Sequence, residues 1–223
     1  MTIKAVTIKE LLDLCKHIAG MTILELANSL NITPPISLKN NKGWIGQLLE
    51  QYLGVSSGNL PVADFPHLGL ELKTIPINSK TKQPLESTFV CTAAFNQLVI
   101  SWEQSIVKLK LSKVLWIPIE VTPENKLTSR RIGAAFLWQP TIEQLKILQQ
   151  DWQELTEMLQ LGNIQSLSAK YGQYLQIRPK ALNCKTNLVK YLNINKETIQ
   201  TVARGFYLRT SFTKNILANH FVC

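Results

Sequence analysis

The stretch Asp64-Phe-Pro-His-Leu-Gly-Leu-Glu71-Leu-Lys73 places a carboxylate, a bend and an acidic–basic pair within ten residues. If residues 68–77 form a β-strand, successive side chains alternate between its faces, so Glu71 and Lys73 share one face. The proline and the glycine of this stretch allow a bend that returns the Asp64 carboxylate toward Glu71. The sequence therefore predicts that these three side chains meet at the start of a strand.

Three such side chains have the chemistry of a metal-dependent phosphodiesterase site. Two adjacent carboxylates repel each other unless a cation lies between them, and hard oxygen ligands favour Mg²⁺, with Asp64 and Glu71 as its ligands. Lys73 would hold an attacking water and stabilise negative charge on a phosphate. An exposed strand that carries Glu71 and Lys73 as an ordinary surface pair explains the same pattern, so the pattern alone leaves both interpretations open.

Glu50 and Lys110 are two further candidates for the active site. Glu50 lies on a predicted helix over residues 43–53, at helical spacing from Gly43, Gly46 and Gly54. A stripe of glycines would let this helix approach a strand closely and bring Glu50 near the two carboxylates, although a packing groove with Glu50 in solvent fits equally. Lys110 could face a phosphate, or it could belong to a lysine-rich loop before the next strand.

Positive charge is concentrated at the C-terminal end. The formal net charge is +9, and the last 46 residues, from Arg178 onward, hold eight basic residues against Glu197 alone. Such asymmetry favours a polyanion partner, nucleic acid rather than membrane, although a solvated basic face also explains it. The candidates for contacts with phosphates and base edges are Arg178, Pro179, Lys180, Arg204, Tyr207, Arg209 and Lys214.

Several classes of protein are excluded by composition. With 45% apolar residues the chain can bury a core, and it has no apolar run of membrane-spanning length and no signal-peptide pattern at its start. A cytoplasmic location is therefore expected. The four cysteines form no CxxC pair, which favours free thiols over a zinc site.

Hydrophobic periodicity predicts helices first, then a block of strands, then mixed elements. Expected helices cover residues 6–19, 21–30 and 43–53, a long segment between Thr141 and Gly162, residues 183–193 and residues 211–219. Expected strands cover residues 68–77, 87–93, 98–102, 113–120, 132–138, 174–177 and 205–210. This order predicts an α/β or α+β fold on a mixed sheet flanked by helices.

Several motifs together resemble the MutH family, the strand-nicking endonucleases of bacterial methyl-directed mismatch repair. They are Lys42-Gly-Trp-Ile-Gly46, Leu49-Glu50, Asp64-Phe65, Gly69 through Ile75, Thr88-Phe-Val-Cys91, Val114-Leu-Trp-Ile-Pro118, Tyr174-Leu-Gln-Ile-Arg-Pro-Lys-Ala181 and Arg204-Gly-Phe-Tyr-Leu208. The resemblance implies a restriction-endonuclease-like fold of the PD-(D/E)xK type, with two arms that form a DNA-binding cleft. Residues 1–110 would form the N-terminal arm with the catalytic motif, and residues 111–223 the C-terminal, basic arm.

The same resemblance implies which residues perform the chemistry. Asp64, Glu71 and Lys73 match the catalytic motif, while Glu50 and Lys110 match an additional acidic residue and a further lysine of the active site. Ala63 stands where the name of the motif would put proline, a residue that binds nothing. Lys42, in the first motif, is assigned to DNA binding.

The implied activity is Mg²⁺-dependent nicking of the unmethylated strand, 5′ of the G in hemimethylated GATC, by a monomer. Tyr207 is the residue expected to sense methylation of adenine N6, which faces the major groove. The implied activator is MutL, itself recruited by MutS.

Two other functions are compatible with the residues. One is a restriction endonuclease of the same fold that cuts both strands at GATC. The other is a DNA-binding module whose carboxylates are only structural.

Overall fold

The computed structural model describes residues 6–37, 41, 43–55, 62–93, 100–124, 126–163, 167, 170–180, 188–193 and 195–221. Its contacts divide the chain into two compact units. Unit 1 comprises Met1–Glu86, Lys113–Gln139 and Ile216–Cys223, and unit 2 comprises Ser87–Ser112 and Pro140–Asn215. Each unit is assembled from separate stretches of chain, and the two arms that the resemblance implies, residues 1–110 and 111–223, stay a prediction.

Three helices come first, and groups of strands separated by single helices follow. In chain order they are α1 (Ile8–Ile18), α2 (Ile23–Ser29), α3 (Trp44–Leu53), β1 (Glu71–Asn78), β2 (Thr88–Thr92), α4 (Ile106–Leu111), β3 (Val114–Val121), β4 (Arg131–Ile132), β5 (Phe136–Trp138), α5 (Ile142–Gln160), β6 (Leu175–Pro179), β7 (Leu188–Leu192), β8 (Thr198–Val202), β9 (Arg204–Leu208) and α6 (Thr210–His220). The predicted mixed α/β fold is confirmed. Within the described residues, no helix combines the length and the apolar character that a membrane crossing needs.

Unit 1 is built around β3, the apolar strand at the centre of its sheet. β1 pairs with β3 in parallel, while β4 and β5 pair with successive parts of its other edge in the antiparallel sense. One face of this sheet contributes Leu72 and Leu115, which are register partners, to a buried core shared with apolar side chains of α1, α2 and α3. Burial of this apolar surface fixes β1, and hence the residues that begin it.

The strand predicted over residues 132–138 is interrupted. It forms β4 and β5 instead, and the break lies opposite Pro118, a residue of β3 that has no N–H group to donate to a ladder. Gly133 crosses this point so closely that a Cβ atom on it would lie 3.1 Å from the Pro118 Cβ. The proline therefore divides one expected strand into two.

Unit 2 contains an antiparallel sheet in the order β2-β9-β6 and the hairpin β7–β8. The long helix α5 begins as predicted: the Thr141 hydroxyl accepts the Gln144 N–H, and the Gln144 side chain accepts the Thr141 N–H. The buried side chains of α5 include Trp152, whose ring lies 5.6 Å from that of Trp102. α5 also packs against β6, the strand that carries Arg178.

Three predictions in unit 2 need correction. The helix expected over residues 183–193 is wrong in its described part, because residues 188–192 form β7 and pair with β8, a strand that was not predicted. The β-branched residues of β8 favour a pleated strand, and Lys196 adopts a left-handed conformation (φ 63°) in the turn before it. Residues 181–187 lie outside the described part of the chain.

The expected strand over residues 98–102 is also absent where the chain is described. Residues 98 and 99 lie outside the described part, and Trp102–Gln104 forms a 3-10 turn. The lysine-rich segment that follows is the helix α4 rather than a loop, with the Ser105 hydroxyl accepting the Lys108 N–H at its start. α4 has only 6 residues, which are too few for a helical hydrophobic period to be recognised in the sequence.

The described cysteines behave as apolar fillers, as predicted. Cys15 and Cys91 are free thiols, and both are buried. Burial raises the pKa of the Cys15 thiol to about 12, so the reactive thiolate is scarce at neutral pH. Cys184 and Cys223 lie outside the described residues.

Candidate active site

A tight bend precedes β1, as the sequence predicted. Phe65 and Leu70 exchange two backbone hydrogen bonds, with N···O distances of 2.9 and 3.2 Å. Between them Pro66–Leu68 forms a 3-10 turn, and Gly69 completes it in the left-handed conformation (φ 58°) that glycine adopts at little cost. The bend turns the chain at Asp64 back toward the start of β1.

The Asp64 carboxylate lies against the backbone of β1. Its Oδ2 accepts the N–H of Leu72 at 2.8 Å, and the residue is only 8% exposed. Leu72 directly follows Glu71, so the bend brings the first carboxylate to the segment that bears the second. A hydrogen bond from a backbone N–H also fixes the orientation of the Asp64 side chain.

Glu71 and Lys73 form a buried ion pair on one face of β1. The Lys73 Nζ lies 2.6 Å from the Glu71 Oε1, and Glu71 is 1% exposed. The interpretation of these residues as an ordinary surface pair is therefore wrong. A carboxylate at this depth needs a cation or hydrogen-bond donors in place of water, and Lys73 supplies both.

The donor set at this point suits a hard divalent cation. Asp64 and Glu71 contribute carboxylate oxygens in a nearly buried position, and the Lys73 side chain lies beside Glu71. Within the described residues, no three or more His, Cys, Asp and Glu side chains form a group that could hold a metal. A cation held by Asp64 and Glu71 would therefore need further oxygen ligands from backbone, water or phosphate, which is the usual situation of Mg²⁺.

Glu50 lies on α3, which packs against β1. Its Oε1 would be 3.9 Å from a Cβ atom on Gly46, so the half-buried side chain extends back along its own helix. Gly43 and Gly54 do not form the expected packing stripe, because they are the left-handed N-cap and C-cap residues of α3, with φ of 91° and 72°. Glu50 does not join Asp64 and Glu71 in one three-carboxylate metal group.

Lys110 is a predicted residue of the active site, and Lys42 is a predicted DNA-binding residue. Lys110 lies in the last turn of α4, half-buried, and belongs to unit 2. Lys42 lies outside the described residues.

Unit 2 presents a cluster of two aromatic rings and two cations on one face of its three-stranded sheet. We call Phe89, Arg178, Lys180 and Tyr207 the aromatic–basic face. Phe89 and Tyr207 are register partners with ring centroids 5.3 Å apart, edge to face. The Arg178 guanidinium lies 5.9 Å from the centre of the Tyr207 ring, and the Lys180 Nζ lies 5.3 Å from that of Phe89.

Hydrogen bonds orient both cations of this face. Arg178 donates to the Ser87 Oγ at 2.6 Å, and Lys180 donates to the Thr92 Oγ1 at 2.9 Å. Both basic residues are exposed, so their remaining N–H groups can reach a ligand in solvent. Cations held over aromatic rings in a defined geometry lose less conformational entropy when they bind a phosphate or a base edge.

Phe89 is a candidate that the sequence prediction missed. It is 38% exposed in the otherwise largely buried strand β2. Its ring covers Gly205, where a Cβ atom would lie 2.7 Å from Cε2 of Phe89, so a larger residue at this position would displace the ring. Alternation in the predicted strand over residues 87–93 is a signal that could have put Phe89 on the face opposite Val90, but no sequence signal shows that Tyr207 lies beside it.

The remaining predicted DNA-binding residues of unit 2 differ in their exposure. Pro179 and Lys214 are exposed, and Arg204 is half-buried at the start of β9. Arg209 is also half-buried, and its guanidinium donates to the carbonyl oxygen of Tyr171 at 2.7 Å. That contact gives Arg209 a structural role within unit 2.

Comparisons with known proteins point to one family. A family model described as "DNA mismatch repair enzyme MutH" matches residues 53–151. The DNA mismatch repair protein MutH of Shewanella sp. (strain W3-18-1) is 46% identical over 213 residues, which cover 95% of this chain and 95% of the relative. MutH of Vibrio cholerae serotype O1 is 47% identical over 216 residues, 96% of this chain and 97% of the relative. MutH of Photorhabdus laumondii is 44% identical over 215 residues, 96% and 93%.

Proposed function

The chain belongs to the MutH family of DNA mismatch repair enzymes, and from that premise we propose that it is a Mg²⁺-dependent endonuclease that nicks the unmethylated strand at hemimethylated GATC. The observation that carries the proposal is the meeting of Asp64, Glu71 and Lys73 at the start of β1. A nuclease needs groups that bind a phosphate and activate a water molecule, and these three side chains have the chemistry for both tasks.

Asp64 and Glu71 are the residues that would hold Mg²⁺. When bound, the ion would supply Lewis-acid stabilisation of negative charge on the scissile phosphate. The Leu72 N–H fixes the Asp64 carboxylate through Oδ2. A ligand that is already oriented by the backbone costs less to order when the metal binds.

Lys73 would act on the attacking water and on the phosphate. Its ammonium group is held at 2.6 Å from Glu71 and is only 12% exposed, so water screens its charge weakly. There it can orient a water molecule for attack and stabilise the charge that develops on the phosphate oxygens. Glu50, on the helix packed against β1, is proposed as a supporting residue of the same chemistry, and Lys110 stays a predicted contact for a phosphate.

The aromatic–basic face is proposed to recognise the DNA site. Arginine can donate two hydrogen bonds to the O6 and N7 of guanine, which suits the exposed Arg178. Tyr207 would distinguish adenine from N6-methyladenine, because the methyl group removes one donor and adds bulk in the major groove. Phe89 joins this face in the proposal, since its ring contacts Tyr207 and supports Lys180.

The proposal extends to partners and location. A monomer with one active site would cut one strand only, in the cytoplasm. MutL, recruited by MutS, would be its activator, and double-stranded DNA its substrate.

Cleavage of defined duplexes tests the proposed function. The purified protein is incubated with unmethylated, hemimethylated and fully methylated GATC duplexes, with Mg²⁺ or with a chelator, and with or without MutL. We expect Mg²⁺-dependent nicking of unmethylated strands, stimulation by MutL and protection of methylated strands. Vigorous cleavage of both strands without MutL would favour a restriction endonuclease, and DNA binding without any Mg²⁺-dependent cleavage would favour a binding module.

A further inference from the structure

Asp151 is a buried carboxylate that the proposed chemistry does not use. It lies on α5, is 4% exposed, and accepts three backbone N–H groups from one short segment. Its Oδ1 accepts from Gln173 at 2.8 Å, and its Oδ2 accepts from Tyr174 at 2.6 Å and Leu175 at 2.8 Å. Hydrogen bonds from three backbone donors replace the water that a buried carboxylate loses.

The segment held by Asp151 has a backbone shape that depends on glycine. Gly172 adopts a left-handed conformation (φ 75°), and a Cβ atom on it would lie 2.0 Å from the carbonyl oxygen of Leu175. The turn directs successive N–H groups toward one point, as anion-binding backbone nests do. Asp151 supplies the anion for this turn from a different element of the same unit.

Arg209 holds the same segment through its carbonyl groups. The Arg209 guanidinium donates to the Tyr171 oxygen at 2.7 Å, and the Arg209 backbone N–H donates to the Tyr174 oxygen at 2.9 Å. Because Arg209 directly follows β9, these bonds tie the beginning of β6 to the end of β9. Asp151 completes the attachment by connecting the beginning of β6 to α5.

Arg178 lies three residues beyond the start of β6, on the same strand. β6 starts at Leu175, and its register with β9 places Gln176 opposite Tyr207 and Arg178 opposite Gly205. A slip of one residue would turn Arg178 to the other face of the sheet. Arg178 lies about 10 Å along the strand from Leu175, a short distance over which a strand transmits a displacement.

We propose that Asp151 is a positioning residue that fixes the start of β6 and thereby holds Arg178 on the aromatic–basic face, an assignment that rests on the proposed recognition of GATC. Asp151 itself contacts no DNA in this account. Its effect on recognition passes through Arg178.

The test compares DNA discrimination in Asp151→Asn with that in the unsubstituted full-length chain. Asparagine keeps the size of the side chain but replaces one acceptor oxygen by an NH₂ group that faces N–H donors. The readout is the discrimination ratio, the dissociation constant for a duplex with one base pair of the site changed divided by that for the hemimethylated GATC duplex. We expect this ratio to fall about 10-fold, the order of one base-specific contact.

A double-mutant cycle separates positioning from general stability. If Asp151 acts through Arg178, the ratio for Asp151→Asn/Arg178→Ala should equal that for Arg178→Ala alone. Leu159→Ala is the control, since it removes a buried side chain of α5 about 12 Å along the helix from Asp151. It should lower the melting temperature and leave the ratio unchanged.

Each outcome decides the assignment. Asp151→Asn with undiminished discrimination, or effects that multiply in the double variant, would overturn it. If Asp151→Asn cannot be obtained folded, Asp151→Glu, which moves the charge by one methylene group, is judged by the same ratio. If the unsubstituted protein does not prefer GATC, the proposed function and this inference both fail. If the unsubstituted protein and Asp151→Asn prefer GATC equally, only the role assigned to Asp151 is wrong.

Discussion

The two candidate regions of this molecule are assembled in opposite ways. The carboxylates and the lysine of unit 1 come from a single stretch, Asp64 to Lys73, folded on itself by one bend. The aromatic–basic face of unit 2 combines Phe89 from β2, Tyr207 from β9, and the end of β6 with the lysine that follows it. The first region depends on local backbone geometry, and the second depends on strand pairing between distant parts of the chain.

This difference in assembly matches the two roles that we propose, catalysis for the first region and DNA recognition for the second. Residues fixed by a tight bend and a buried strand keep a rigid geometry, which catalysis requires. Residues on an exposed sheet face can bind a long, charged ligand and distinguish its variants. Substitutions in the two regions should therefore have different signatures, loss of rate in one and loss of discrimination in the other.

The largest expected effect is that of Glu71→Gln. Removing this charge should lower the nicking rate by about 10³-fold or more, because a metal ligand and the partner of Lys73 are lost together. Binding of the GATC duplex should persist. The measurement is single-turnover nicking, with affinity determined separately.

Glu120→Gln is the matched control for that variant. Glu120 lies on the neighbouring strand β3 and also pairs with a lysine, Lys82, but at the surface. Its substitution should leave the nicking rate within about two-fold, since exposed ion pairs contribute little. Equal losses in both variants would mean that Glu71 has only a structural role.

Arg178→Ala should instead relax specificity. We expect the preference for GATC over a site with one changed base pair to fall by about 10- to 100-fold, because a bidentate contact to a base is lost. Competition binding with the two duplexes measures this preference. Lys190→Ala, an exposed substitution on β7, should leave the preference intact, and a similar fall in that control would contradict a specific role for Arg178.

Tyr207→Phe tests the sensing of methylation more finely. The ring contact with Phe89 is retained and only the hydroxyl group is removed. Discrimination between unmethylated and methylated adenine should fall by about 3- to 10-fold, the size of one hydrogen bond. Tyr174→Phe, whose ring stacks on Phe212 in the same unit, is the control, and an unchanged methylation preference in Tyr207→Phe would assign the sensing to another residue.

The smallest effect should be that of Lys180→Ala on the salt dependence of binding. Loss of one phosphate contact should reduce the slope of log affinity against log salt by about one unit between about 50 and 200 mM. Lys16→Ala, which removes a lysine already paired with Asp13 on α1, should not change the slope. Identical slopes for the parent and both variants would show that Lys180 does not contact the DNA backbone.

The same contrast explains what the sequence could predict. Alternation along the strand and the bend before it were sufficient to group Asp64, Glu71 and Lys73, because all three lie within one local element. Strong capping patterns likewise located α2 and α5. Local patterns determine local geometry, and the capping predictions are confirmed.

Features that depend on the pairing of distant strands could not be predicted from the sequence. Phe89 was missed because its neighbour Tyr207 is supplied by a strand more than a hundred residues away. The prediction of a helix over residues 183–193 is wrong at β7, since periodicity in a short apolar run does not distinguish a helix from a strand. Asp151 gave no signal, because its three hydrogen-bond donors belong to a turn whose shape depends on Gly172.

The most direct test of the account is divalent metal binding at the carboxylates of unit 1. Binding of Mn²⁺, in the presence of a hemimethylated GATC duplex, can be followed by electron paramagnetic resonance for the parent, Asp64→Asn, Glu71→Gln and Glu120→Gln. The account predicts that Asp64→Asn and Glu71→Gln each weaken binding by about 10-fold or more, while Glu120→Gln matches the parent. Unchanged Mn²⁺ affinity in both Asp64→Asn and Glu71→Gln would contradict it.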